Sequence, residues 1–143
     1  MDLLHRLAAL QGEKWKFNAF GPGGRAGEAD RIRQFSIRIT DVCNLACSFC
    51  PGTRRPAGYM RPEDFRLLAE KLRGHTAYLY LHVMGEPLLH PQLEEILAIA
   101  RQLDFRVCIT TNGTLLPRRG HALAGVHKVS VSLHSFEGND RAE

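Results

Sequence analysis

Three cysteines within eight positions are the most reactive feature of the sequence. Cys43, Cys47 and Cys50 lie in one segment that directly follows a predicted strand. Thiolates are soft ligands that select zinc or iron–sulfur clusters. Structural zinc takes four ligands, and iron–sulfur electron carriers use four cysteines, whereas this segment supplies three. His82 and Cys108 are the candidates for completing a zinc site; otherwise, three thiolates leave one iron of a 4Fe–4S cluster open to another ligand.

Polar residues with ligand-binding chemistry also follow the other predicted strands. Gly85 and Glu86 come at the end of the second strand, where a glycine permits close backbone approach and a carboxylate accepts hydrogen bonds from an ammonium group. Thr111 and Asn112 follow the third strand, and Ser132 lies on the fourth. Gly-Glu-Pro and Asn-Gly are also ordinary turn sequences. Their positions after strands favour a site, because strand–helix barrels build their sites from these loops.

Strands alternate with helices from residue 35 onward. The predicted strands are 35–40, 78–83, 105–110 and 128–133, and the predicted helices are 62–73, 91–103 and 118–124. This order predicts an α/β fold of parallel strands joined by right-handed crossovers. Each strand carries apolar side chains on one face and polar side chains on the other. We therefore expect helices on the apolar face and a partly open barrel interior on the polar face. The alternative, a single-layer sheet with its polar face in water, is uncommon for parallel strands.

The first 34 residues differ from this alternating region. Leu3, Leu4, Leu7 and Leu10 recur at helical spacing and predict a short amphipathic helix. A glycine-rich stretch at 21–27 is typical of a linker. The sequence thus predicts an N-terminal extension at 1–34 and a core domain at 35–143.

Length and charge exclude several classes of protein. The chain has 143 residues and a net charge of +4, whereas a complete eight-unit barrel needs about 250 residues. Arg54, Arg55 and Arg61 flank the cysteines, but scattered basic residues favour a solvated loop over a nucleic-acid site. No apolar run approaches the roughly 20 residues that span a bilayer. The N-terminus lacks secretory-signal features, so the prediction is a cytoplasmic protein without membrane partners, in which cysteines stay reduced.

The cysteine spacing resembles a known family signature. Cys43-x-x-x-Cys47-x-x-Cys50, with Phe49 before the last cysteine, is similar to the motif of the radical S-adenosylmethionine (SAM) enzymes. The Gly85–Glu86 segment resembles the one that holds the methionyl amino group of SAM in that family. The Thr111–Gly113 segment resembles one in the branch with molybdenum cofactor biosynthesis proteins and SPASM-type peptide maturases.

The resemblance implies cofactors and roles for these residues. The three cysteines would bind three irons of a 4Fe–4S cluster, and the amino and carboxylate groups of SAM would chelate the fourth. Reductive cleavage of SAM would give a 5'-deoxyadenosyl radical that abstracts hydrogen from a substrate. The residues then expected near SAM are Phe49, Gly85, Glu86, Thr111, Asn112 and Ser132. The implied partners are a peptide or small-molecule substrate and a reductant such as flavodoxin or ferredoxin.

The resemblance also predicts an incomplete barrel. The family core has six strand–helix units, and the sequence supplies about four. We therefore expect a partial (β/α)6 barrel from a fragment of an enzyme, with an uncovered apolar face on the fourth strand. The alternative function is a non-catalytic iron–sulfur or zinc-binding module used structurally or for electron transfer. Formation of 5'-deoxyadenosine from SAM separates the two.

Overall fold

A computed structural model of the protein describes residues 17–20, 34–52, 56–82 and 84–133. Its centre is one sheet of five strands in sequence order. The strands are β1 (Phe17–Phe20), β2 (Gln34–Ile37), β3 (Tyr78–Leu81), β4 (Arg106–Thr111) and β5 (Lys128–Val131). The helices are α1 (Pro62–Leu72), α2 (Leu93–Gln102) and α3 (Leu116–Arg119), with 3-10 turns at Pro87–Leu89 and Gly120–Leu123. The predicted helix at Leu3–Leu10 lies outside the described residues.

Strands β2 to β5 are parallel, which confirms the predicted α/β architecture with four parallel strands. The register places Ser36 beside Tyr80, Tyr80 beside Cys108, and Cys108 beside Lys128. These residues share the polar face of the sheet. Because the four strands are parallel, their carboxyl ends lie at the same edge of the sheet.

Strand β1 lies in the predicted N-terminal extension, where no strand was predicted, and it pairs antiparallel with β2. Its four residues are too few to show a strand pattern, and the pairing depends on contacts distant in sequence. Other boundaries also moved. Strand β2 ends at Ile37 rather than residue 40, and Thr40 instead bridges to Tyr59. Helix α2 begins at Leu93 rather than 91, after a 3-10 turn.

Helices α1 and α2 cover the apolar face of the sheet. Pro62 starts α1, where its missing N–H is harmless, and Glu63 and Asp64 complement the positive end of the helix dipole. The strands contribute Phe35, Ile37, Leu79, Leu81 and Ile109 to the core, and the helices contribute Phe65, Leu72, Leu93 and Ile96. Burying each of these large side chains contributes about 1.5–3 kcal/mol. This core fixes the strand ends that carry the polar residues.

Apolar side chains at β5 remain exposed. Val129 and Val131 on the strand and Leu133 just after it are all exposed, which agrees with the expected uncovered face. Within the described part of the chain, no helix has the length and apolar character needed to cross a membrane.

His90 joins the turn before α2 to the segment before α1. Its Nε2 lies 2.9 Å from the Met60 carbonyl oxygen, and its Nδ1 accepts from the Gln92 amide at 3.1 Å. This pair of contacts fits the neutral ring with the proton on Nε2. The ring is fully buried, and burial lowers the pKa of His90 below its usual value.

Protonation of His90 is expected to destabilise the fold in mild acid. Because the folded-state pKa is lowered, the unfolded state takes up the proton first as pH falls below about 6.5. Stability should fall with pH there, with a slope of up to about 1.4 kcal/mol per pH unit. Urea unfolding between pH 7.5 and 5.5 measures this slope. His90→Gln should reduce this slope, leaving the part due to His82, whose pKa burial also lowers. His75→Gln at an exposed position should leave the slope unchanged, and equal slopes in both variants would contradict the assignment.

Candidate functional site

A cavity of about 580 Å³ lies at the carboxyl ends of the parallel strands. All nine residues predicted for the site line it: Cys43, Cys47, Phe49, Cys50, Gly85, Glu86, Thr111, Asn112 and Ser132. A volume in this range suits a small-molecule ligand. The predicted residues are up to 89 positions apart in sequence, and the fold brings them together around one cavity.

The cysteines lie between β2 and α1 in a segment whose described parts are residues 41–52 and 56–58, here called the cysteine loop. Hydrogen bonds close its base: the Asp41 amide donates to the Gly58 carbonyl at 3.1 Å, and the Met60 amide donates to the Ile39 carbonyl at 2.8 Å. The Thr40 hydroxyl also donates to the Gly58 carbonyl at 3.1 Å. The loop therefore starts and ends at fixed points on the core.

The three cysteines form no disulfide and line the same cavity. Cys43 and Cys50 are exposed, Cys47 is half-buried, and the Cys50 amide donates to the Cys47 carbonyl at 3.0 Å. Partial burial of the thiol raises the pKa of Cys43, and the backbone amide of Leu45 opposes this shift. The nearby charges of Glu86, Cys47 and Cys50 raise that pKa further. The neutral thiol of Cys43 is therefore favoured over its thiolate in the protein without a bound cation.

The donor set consists of three thiolates on one cavity wall, a set that iron–sulfur clusters accept. Among the residues that the structure describes, no three His, Cys, Asp or Glu side chains converge as the ligands of a single ion do. Cys108 is buried on β4 and is not part of the cavity wall. A 4Fe–4S cluster instead takes each thiolate on a different iron, so it needs a wider set. Three thiolates beside an open cavity leave its fourth iron accessible.

Glu86 links the loops that follow β3 and β4. Its carboxylate is only 1% exposed. One oxygen, Oε1, accepts from the Thr111 hydroxyl at 2.6 Å and from the Leu88 amide at 3.0 Å, and Oε2 accepts from the Asn112 amide at 2.7 Å. These three donors give Glu86 a positioning role that the sequence did not reveal. Its contact with an ammonium group of a ligand stays a prediction.

Gly85 packs directly on the base of the cysteine loop. Its φ is +75°, and a Cβ at this position would lie 2.7 Å from the Thr40 carbonyl oxygen and 2.9 Å from that of Val42. The next residue, Glu86, donates its amide to the same Val42 carbonyl at 2.8 Å. A glycine is required because any side chain would part these two loops.

Asn112 lies between the loop after β4 and the cysteine loop. Its side-chain Nδ2 donates to Asn44 Oδ1 at 2.9 Å and lies 4.0 Å from Cys43 Sγ. Its Oδ1 accepts from the amide and the hydroxyl of Thr114, at 3.0 and 2.7 Å. Asn44 was not predicted as a site residue; its position directly after the first cysteine was the available signal.

An ion pair beside the cavity was also missed, whereas His82 was named only as a candidate fourth ligand of zinc. Arg38 and Asp41 form an ion pair of 3.0 Å, with side chains only 7% and 4% exposed, and Asp41 lines the cavity. His82 lines it as well, and burial lowers the pKa of its ring. Arg38 and His82 directly follow β2 and β3 and continue the polar positions of the predicted strands. Alternation alone does not distinguish a buried ion pair from a solvated arginine.

Phe49 and Ser132 complete the predicted set. The Phe49 side chain is 52% exposed at the cavity, and Ser132 is half-buried, held by its amide to the Thr111 carbonyl at 2.9 Å. Both are accessible to a ligand.

Comparison with known proteins decides the family of this site. Residues 37–139 match the family model described as the radical SAM superfamily, a span that contains every residue of the cavity wall. The chain belongs to the radical SAM superfamily. Radical SAM proteins use a 4Fe–4S cluster and SAM, so the predicted family and its cofactors are confirmed at the level of the superfamily.

Curated relatives of this radical SAM chain are GTP 3',8-cyclases. The protein of Chlorobaculum tepidum is 38% identical over 108 residues, covering 71% of this chain and 32% of that protein. The probable GTP 3',8-cyclase of Aeropyrum pernix is 32% identical over 117 residues, covering 73% and 33%. GTP 3',8-cyclase 2 of Mycobacterium bovis is 38% identical over 116 residues, covering 71% and 31%. The chain therefore spans about a third of the length of these relatives.

Solved radical SAM structures resemble the fold. BtrN in complex with AdoMet and 2-DOIA aligns with a TM-score of 0.62 at 28% identity, over 69% of this chain and 44% of BtrN. Streptococcus suis SuiB bound to precursor peptide SuiA aligns with a TM-score of 0.58 at 20% identity, over 69% and 23%. These similarities confirm the predicted partial barrel.

Proposed function

We propose that this chain binds a 4Fe–4S cluster and SAM and belongs to an enzyme that starts radical chemistry by cleaving SAM. The observation that carries the proposal is the convergence of the three cysteines with Gly85, Glu86 and their neighbours on one cavity. The superfamily match supports the same reading. We also propose that the core domain spans residues 35–143 and that residues 1–34 are an N-terminal extension, which adds β1 to the edge of the sheet.

Each residue of the cavity has a distinct task in this proposal. Cys43, Cys47 and Cys50 would hold three irons, and the reduced cluster, when bound, supplies the electron that splits SAM into methionine and a 5'-deoxyadenosyl radical. Gly85 brings the backbone of the next loop against the base of the cysteine loop. That contact sets the distance between the cluster loop and the wall on which SAM would lie.

The part of the cavity wall formed by Glu86, Thr111 and Asn112 would orient SAM. The Glu86 carboxylate fixes both Thr111 and Asn112, so the hydroxyl of Thr111 is already engaged and positions the wall. Ser132 and Phe49 line the cavity, where a hydroxyl can bind a ribose or carboxylate group and an aromatic ring can pack on adenine. These groups exclude water from one side of the reacting bond.

The substrate that we propose is a small molecule. The relatives at 32–38% identity are named GTP 3',8-cyclases, whereas the peptide-bound SuiB structure is 20% identical and supports the fold alone. A flavodoxin or ferredoxin remains the reductant that we propose.

Cleavage of SAM tests the proposed function. Protein reconstituted with iron and sulfide in the absence of oxygen should release 5'-deoxyadenosine and methionine when SAM and dithionite are added. We expect this because all the residues predicted to bind the cluster and SAM line the same cavity. Liquid chromatography with mass spectrometry quantifies both products, and a reaction without dithionite is the control. A protein that binds the cluster but yields no 5'-deoxyadenosine would support the alternative, a module for electron transfer or structure.

A further inference from the structure

The orientation of the Asn112 amide is fixed by a backbone donor. The Thr114 backbone N–H lies 3.0 Å from Asn112 Oδ1, and a backbone amide can only donate. The oxygen of the side chain therefore faces Thr114, and the NH₂ group faces the cysteine loop. The Thr114 hydroxyl reinforces this by donating to the same oxygen at 2.7 Å and accepting from Asn44 Nδ2 at 2.8 Å.

The NH₂ group has one hydrogen for each of two acceptors. One acceptor is Asn44 Oδ1 at 2.9 Å, and the second is Cys43 Sγ at 4.0 Å. Asn112 is only 8% exposed, so water competes poorly for that second hydrogen. The Asn112 backbone amide is held by the buried Glu86 carboxylate at 2.7 Å, and the whole residue is therefore fixed next to the first cysteine.

We infer that Asn112 is a positioning residue that donates its side-chain N–H to the Cys43 thiolate and so raises the reduction potential of the cluster held there. The inference rests on the proposed function. A donor aimed at a ligand sulfur stabilises the extra negative charge of the reduced cluster, and such hydrogen bonds are among the factors that set cluster potentials. This role differs from the direct contact with SAM that the sequence predicts for Asn112, because it operates without SAM.

Two variants of Asn112 test the role in the reconstituted protein without SAM. Asn112→Asp keeps the shape and the oxygen that faces Thr114 but removes the donor and adds a charge, whereas Asn112→Ala removes the donor together with the oxygen that faces Thr114 and adds no charge. Thr110→Val is the matched control, since Thr110 lines the same cavity two positions earlier on β4. The readout is the midpoint potential of the cluster, from redox titration followed by electron paramagnetic resonance.

The equilibrium constant for reduction should fall about tenfold in Asn112→Asp, which is about 59 mV for one electron. It should fall about threefold in Asn112→Ala and stay unchanged in Thr110→Val. A shift in the Asp variant with none in the Ala variant is an effect of added charge and overturns the inference. If Asn112→Ala loses its cluster, the Asp variant decides, and an unshifted potential there overturns the inference.

The proposed function can fail separately. Wild-type protein that takes up no cluster contradicts both ideas. Wild-type protein that cleaves SAM, with Asn112 variants at the wild-type potential, contradicts only the role of Asn112.

Discussion

Replacing Cys43, Cys47 or Cys50 by alanine is expected to abolish both the visible absorbance of the reconstituted cluster and the release of 5'-deoxyadenosine. Each thiolate would bind a different iron, and the cavity offers no other thiolate to replace it, since Cys108 is not part of the wall. Loss of one ligand leaves two thiolates, and a second iron becomes exposed. Iron and sulfide content, absorbance and product yield measure the effect, and we expect near-complete loss in all three variants.

Cys108→Ala is the matched control for these substitutions. It removes a fourth thiol that is buried on β4, so it should lower stability slightly and leave the cluster intact. A full 4Fe–4S spectrum in all three loop variants would contradict the assignment. Tightly bound zinc that is lost with each loop cysteine would instead identify the alternative, a zinc-binding module.

Gly85→Ala is expected to disrupt the site although Gly85 is not one of the proposed cluster ligands. The left-handed backbone costs a non-glycine residue about 1–2 kcal/mol, and forcing a methyl group into packed atoms costs about 1–3 kcal/mol. The new Cβ would lie 2.7 and 2.9 Å from two carbonyl oxygens of the cysteine loop. The variant should therefore lose about 2–5 kcal/mol of stability and bind SAM poorly. Urea unfolding and equilibrium dialysis with SAM measure the two effects.

Gly74→Ala separates backbone strain from the clash. Gly74 has a φ of +85°, but nothing lies within 4 Å of a Cβ at that position. This variant should lose only about 1–2 kcal/mol and bind SAM normally. Equal losses in the two variants would mean that the contact between Gly85 and the cysteine loop contributes nothing.

The parts of the fold that could be predicted are those set by local pattern. Leu79 and Leu81 alternate with polar neighbours and lie in the core, and Pro62 begins α1. Strand β1 could not be predicted, because its four residues acquire their conformation from pairing with β2. The 3-10 turn at Pro87–Leu89 was also missed, since the Glu86 carboxylate that caps it was interpreted only as a group for a ligand.

The sequence predicted which residues line the site but not which of their side chains contact one another. Spacing identified Cys43, and position after a strand identified Asn112, yet nothing in the pattern shows that their side chains meet. The same holds for Arg38, whose burial against Asp41 depends on the surrounding fold. Side-chain hydrogen bonds between loops distant in sequence are decided by three-dimensional packing, which a one-dimensional pattern does not contain.

The closed base of the cysteine loop has a consequence for damage and repair. Free energies of local opening range from near zero in loops to the global value in core strands. The hydrogen bonds that close the base of the cysteine loop involve Ile39 and Thr40, which are both buried. We therefore expect the cysteine loop to open as one unit while β2 stays paired with β3. When oxygen destroys a bound cluster, the resulting disorder should stop at this base. A protein that has lost its iron would therefore keep a folded sheet on which a new cluster can be assembled.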